Sequence, residues 1–213
     1  MHRPIWVLSV IAIVTAIGVG FLWSPLLPAE MPSHWNSAGE VDGWQSTTSY
    51  ILTLPIMTFV FVVVLAIMAA RLTDARVRPY IAWSAAVFTV YMLSLHVLIG
   101  VRAFAGEAMT LAEFMRLLAG LFVGLAWIIK DVPPNHIAGF RFPWTLDDPD
   151  VWRQTHIVGF WGMLVGGVIC AIVTVIPVAT ESMFGLGIGA ILLGTIIPSV
   201  YSYWYARRMR SNH

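Results

Sequence analysis

Hydrophobic positions along this chain gather into six long runs with short polar breaks between them. The runs cover Ile5–Trp23, Ile51–Ala70, Tyr80–Phe104, Leu111–Ile129, Ile157–Val178 and Phe184–Tyr205. A helix rises about 1.5 Å per residue and a bilayer's hydrocarbon core is about 30 Å thick, so roughly 20 apolar residues cross it. The pattern therefore predicts six transmembrane helices. Strands of a membrane barrel would instead show about ten alternating residues per pass. With so little chain between runs, the expected fold is an all-α polytopic bundle forming a single membrane domain over residues 1–213. Only the breaks 24–50 and 131–156 are long enough to hold structure of their own. The first run, preceded by His2 and Arg3, is too long for the apolar core of a cleaved signal and lacks a small-x-small site after it, so it reads as an anchor.

Composition agrees with this pattern. Hydrophobic residues make up 59% of the chain and charged residues 11%, against about 45–50% and 25% in soluble domains. The net charge of +1 hides an asymmetry. Arg3, Arg71, Arg76, Arg78, Lys130, Arg141, Arg153, Arg207, Arg208 and Arg210 fall at the termini and in alternate breaks. The remaining segments, around Glu30, Glu40, Asp42 and Glu181, are acidic. Basic loops stay in the cytoplasm, which predicts cytoplasmic termini and an outer location for the 24–50 segment. Nucleic acid is not expected as a partner. The single Cys170 cannot form a disulfide or a thiolate metal cluster within one chain. The glycine pairs Gly120/Gly124 and Gly162/Gly166, together with the glycines from Gly185 to Gly194, offer sites of close helix approach. Pro177 and Pro198 are expected to kink the last two helices.

Polar residues concentrate in two places. The first is Met31–Trp44, "MPSHWNSAGEVDGW". Pro25, Pro28 and Pro32 stiffen the approach, Gly39 and Gly43 permit positive φ, and Asn36 and Asp42 can bond nearby backbone, so a compact cap on the outer face is expected. Trp23, Trp35 and Trp44 suit the headgroup layer. Leu27, Pro28, Met31, Pro32, His34, Trp35, Asn36, Gly39, Asp42, Gly43 and Trp44 resemble a short N-terminal module of unknown function. Gln45 and Ser46 stand where that module often has serine and lysine.

The second is "PNHIAGFRFPWTLDDPDVWRQTH". Asn135, Gly139, Arg141, Pro143, Trp144, Thr145, Leu146, Val151, Trp152, Thr155 and His156 resemble the pattern of the SdpI family of multi-pass bacterial membrane proteins, with Gln154 where a lysine is common. The resemblance implies a bacterial plasma-membrane location, a membrane-lipid environment and a role in immunity or signalling. In that family an immunity protein protects its producer from a secreted toxic peptide outside and recruits a cytoplasmic repressor inside. From the residues themselves, Pro133 and Pro134 should end the fourth helix and Asp131 or Asn135 should satisfy orphan backbone groups. A short interfacial helix should start near Asp148–Asp150, with Trp144 and Trp152 in the headgroups. Arg141 could pair with Asp147 or Asp148, clamp a carbonyl or bind a lipid phosphate; a structural ion pair is preferred.

Ionisable residues at membrane depth are costly and point to function. His96, Arg102, Glu113 and Arg116 all lie toward the outer side, with Glu113 and Arg116 spaced to pair. Together with His34 and Asp42 they are expected to form one network under the cap, making His34, Trp35, Asn36, Asp42, His96, Arg102, Glu113 and Arg116 the candidate ligand residues. His34, His96, Asp42 and Glu113 have ligand chemistry for zinc, but no spacing motif supports a metal or any other cofactor. Three functions compete: an immunity or signalling receptor, a small transporter through His96 and Arg116, and a metal-dependent membrane hydrolase. No catalytic motif supports the hydrolase. Helix centres one, two and five are too apolar for a transport path. A non-enzymatic receptor is the leading expectation.

Overall fold

The computed structural model describes residues 3–72 and 74–211; His2 lies outside them, and of Arg3 only the backbone is described. Seven α-helices and one hairpin follow in the order α1 (Arg3–Trp23), β1 (Glu30–Trp35), β2 (Val41–Ser46), α2 (Thr47–Arg71), α3 (Arg78–Phe104), α4 (Leu111–Ile129), α5 (Pro143–Asp147), α6 (Pro149–Val173) and α7 (Thr180–Ser211). All but α5 are long and apolar enough to cross a membrane. Their outward faces are hydrophobic, with Leu8, Leu22 and Val200 64%, 77% and 64% exposed. Such a surface is stable only against lipid, so this is a multi-pass membrane protein.

Local chemistry explains the element ends. Ser46 caps α2 by accepting the Ser49 N–H, and Thr110 and Glu113 form a reciprocal capping box at α4. Asp148 accepts the N–H groups of Asp150 and Val151 with Pro149 in the first turn. This cap starts α6 at Pro149, about two turns before the apolar run at Ile157. The expected interfacial helix near Asp148–Asp150 is thus the first turn of a membrane span, and the short helix is α5, just upstream. Pro177 lies between helices because α6 has already ended at Val173, whereas Pro198 is inside α7.

Helices α6 and α7 pack most closely. A Cβ on Gly162 would strike the Gly194 carbonyl, and one on Gly166 would strike that of Ala190, so these small residues allow backbone contact. Gly124 faces Val87, while Gly120, Gly185 and Gly189 face open space. The buried core runs through the bundle in clusters. At one end Met31, Tyr50, Ile51, Ile99, Ala103 and Met109 join the hairpin to α2 and α3. At the other, Ala69, Val77, Ile81, Val132 and Trp152 gather under the segment after α4.

Candidate functional site

The hairpin folds because its turn is specified residue by residue. Asn36 Oδ1 accepts the N–H groups of Ala38 and Glu40 at 3.0 Å each, and Gly39 takes a φ of 82°. The strands pair antiparallel, Pro32 opposite Trp44 and His34 opposite Gly43, with register irregularities on both sides of His34. Thr47 Oγ1 donates to the carbonyls of Pro28 and Ala29, fastening the incoming chain to the start of α2. The turn reaches across the bundle, Gly39 sitting against Leu111 of α4 and Thr180 of α7. It is therefore a cap, as its composition suggests.

Beneath the cap lies a cleft of about 480 Å³, within the range of small-molecule and peptide-anchor sites. Its walls come from β1 and the turn, from Leu54 and Met57 of α2, Leu95 and Ile99 of α3, Phe114 of α4 and Phe184 of α7. They are mainly apolar, with His34, Asn36 and Ser37 among the few polar residues that line them. Trp35, expected in the headgroups with Trp23 and Trp44, behaves differently from those two. They are 45% and 57% exposed; Trp35 is half-buried, lines the cleft, and its Nε1 is buried without a hydrogen-bond partner.

The ionisable residues do not form the single network expected. His34 Nδ1 pairs with Asp42 Oδ1 at 2.5 Å on the exposed hairpin face. Arg102 bonds Glu113 through Nε at 2.9 Å and Glu107 through Nη1 at 2.6 Å. Arg116 donates instead to Thr174 Oγ1 at 3.0 Å. Glu113 therefore pairs across to α3 rather than along its own helix, because its second oxygen is held by the Thr110 capping box. His96, 4% exposed, stacks on Tyr50 with ring centroids 4.6 Å apart, and its Nδ1 has no partner. Among the described residues, no three His, Cys, Asp or Glu side chains converge to hold a metal.

At the opposite end, the second polar segment is a buried knot. Asn135 is 6% exposed; its Oδ1 accepts the N–H groups of Ile137 and Ala138, and its Nδ2 donates to the carbonyls of Pro133 and Ala138. Gly139 adopts a φ of 113°, and any Cβ there would strike His156 Nε2. His156 stacks on Trp152 at 4.1 Å. Trp152, expected in the headgroups, is 2% exposed and donates Nε1 to the Val132 carbonyl. Trp144 stacks on Phe142, with Pro143 between them in sequence, and donates Nε1 to Ser202 Oγ of α7 at 3.0 Å. Arg141 clamps the His136 carbonyl at 2.8 Å, so the preferred ion pair with Asp147 or Asp148 gives way to the carbonyl alternative. Between α2 and α3, Arg76 forks onto Asp74 and its hydrogen bonds hold that carboxyl below the usual carboxylate range.

The cleft lining from Leu54 to Phe184 could not be singled out in the sequence, because each of its apolar residues reads as ordinary helix core. Tyr50 is equally silent there, a tyrosine at a helix start.

Residues 131–202 match the SdpI/YfhL protein family, and residues 11–59 match a domain of unknown function, DUF1648. The immunity protein SdpI of Bacillus subtilis (strain 168) is 22% identical over 212 residues, covering 97% of this chain and 98% of that protein. No solved structure matches. The first region contains the buried knot and the α6–α7 contact, the second runs through the hairpin, and the relative spans all six membrane helices. The chain is thus similar to the SdpI/YfhL protein family over its second polar segment and last two helices, and to an immunity protein along nearly its whole length.

Proposed function

We propose that the protein is an immunity-type protein of the bacterial cytoplasmic membrane, and that the cleft under the hairpin, facing outward, receives the apolar part of a secreted toxic peptide. The observation that carries the reading is Trp35 Nε1, a buried donor without an acceptor in the wall of an apolar cleft. An unmet buried donor costs about 1–3 kcal/mol, and a peptide carbonyl would supply its partner. The near full-length likeness to an immunity protein supports the same assignment. Basic residues on the knot end, Arg71, Arg76, Arg78, Arg141 and Arg153, support placing that end in the cytoplasm. A cytoplasmic partner would meet exposed groups such as Arg141 rather than the buried Trp152 or His156.

The test is survival of bacteria lacking their own immunity protein when challenged with the family's toxic peptide. Expression of this chain is expected to protect. Met57→Trp, which fills the cleft and leaves the hairpin hydrogen bonds intact, is expected to abolish protection at equal membrane levels. Failure of the wild-type chain to protect, or full protection by Met57→Trp, overturns the reading.

A further inference from the structure

Helices α2 and α3 have a second cavity on their other side. It holds about 320 Å³ between α1, α2 and α3. Ala12, Ala16 and Gly20 recur every fourth residue on α1 and leave the space open; Tyr50, His96 and Gly100 form the facing wall. It is separate from the cleft under the hairpin, which α3 lines with Leu95 and Ile99 instead.

Three features define what this cavity can hold. His96 is 4% exposed and lies eight positions before the end of α3, roughly 12 Å along the helix axis from the capped end. Its Nδ1 is buried and unpartnered. Its ring is held in place from below, since Tyr50 stacks on it and passes its own hydroxyl to the His96 carbonyl at 2.6 Å. Tyr50 thus has no proton left to donate to the imidazole, and the stacked ring leaves Nδ1 without a partner. The buried threonines of α2 and α3, Thr58 and Thr89, lie deeper in the bundle and bond back to their own helices at 2.7 and 2.8 Å. Around the mouth, Val19, Trp23 and Val97 are 37%, 45% and 51% exposed on the bilayer-facing surface. These apolar, lipid-facing walls suit an apolar chain arriving from the bilayer better than an ion or sugar arriving from water.

We propose that this cavity binds a membrane-dissolved amphiphile through a carbonyl oxygen that accepts a hydrogen bond from the His96 imidazole N–H, its apolar chain leaving past Val19 and Val97. A quinone head and a phospholipid ester share this chemistry. The inference stands independently of the toxin-binding reading, since it concerns a different cavity.

Purified full-length protein in mild detergent is incubated with decylubiquinone in one arm and dioleoylphosphatidylglycerol in the other, with adducts followed by native mass spectrometry and thermal unfolding measured on the same samples. A stoichiometric adduct with raised unfolding temperature is expected in at least one arm, and the arm that gives it identifies the source of the carbonyl. His96→Phe keeps a ring over Tyr50 but removes the N–H, and should weaken binding about tenfold while unfolding no earlier than wild type without ligand. Ala16→Phe, on α1 and away from the imidazole, should fill the cavity and remove the adduct. No stoichiometric adduct in either arm, undiminished binding by both variants, or early unfolding of ligand-free His96→Phe overturns the proposal.

Discussion

His156 and Phe140 are joined through a bond that fixes the state of the imidazole: Nε2 accepts the Phe140 backbone N–H at 3.1 Å. Its Nδ1 lies 2.7 Å from the Trp152 carbonyl, which can only accept, so Nδ1 carries the proton. The histidine of the family motif is therefore a fully satisfied strut, 1% exposed, tying the loop before α5 to the first turns of α6. His156→Ala should orphan a buried N–H and open a cavity, destabilising by on the order of 3 kcal/mol. Thermal unfolding in detergent checks it.

The Gly162–Gly194 approach leaves no room for a side chain. Gly162→Ala would drive a methyl group into the Gly194 carbonyl and should separate α6 from α7, lowering the unfolding temperature by several degrees. Gly185→Ala, where a Cβ meets nothing within 4 Å, is the matched control and should leave that temperature unchanged or slightly raised.

Two of the ion pairs near the cap differ in burial and should differ in consequence. His34 and Asp42 side chains are 71% and 46% exposed, so His34→Ala should stay within about 0.5 kcal/mol of wild type. Glu113 is 13% exposed in its pair with Arg102. Arg102→Ala strands that carboxylate and should cost more, about 1–3 kcal/mol. Equal effects of the two substitutions in the same unfolding assay would contradict this ordering.

Arg141 makes one carbonyl contact from an exposed position. Arg141→Ala should therefore cost less than about 1 kcal/mol, and any larger phenotype in cells should appear as lost partner recruitment with normal membrane levels. Trp144→Phe breaks the tie to Ser202 and should loosen α5 from α7, read as faster proteolysis of the segment around Pro143 in inside-out vesicles.

Trp35→Phe keeps the aromatic wall but removes the unmet donor. Resting stability should be unchanged or improved, and protection against the peptide should fall about tenfold in the concentration tolerated. Loss of stability without loss of protection would assign Trp35 to the hairpin's own packing.

Span number, fold class and the cap were legible because each rests on a local signal: run length, or the Asn-x-x-Gly turn at Asn36 and Gly39. The motif residues Asn135, Gly139 and His156 were visible as a cluster, but their role was not. Whether a histidine is a ligand or a strut depends on what faces it, and here Phe140 and Trp152 do. Pairings across helices were the least legible. Spacing placed Glu113 beside Arg116, yet the Thr110 capping box and Arg102 of α3 took both its oxygens. Likewise nothing in the neighbourhood of Leu54, Phe114 and Phe184 distinguishes a cleft wall from core, since the distinction is a void between helices far apart in sequence.

The hairpin's reach to Thr180, and the place of Phe184 in the cleft wall, have a consequence for biosynthesis. The ribosome delivers Ser46 long before Phe184, and at about 5–20 residues per second the interval is roughly seven to twenty-eight seconds. Through that interval the hairpin has emerged but lacks the far side of its receptacle. If the cleft is where the proposed peptide binds, only chains whose last helix has already been released into the membrane can receive it, and a nascent or truncated chain that stops before α7 has no complete receptacle however well its first half has inserted.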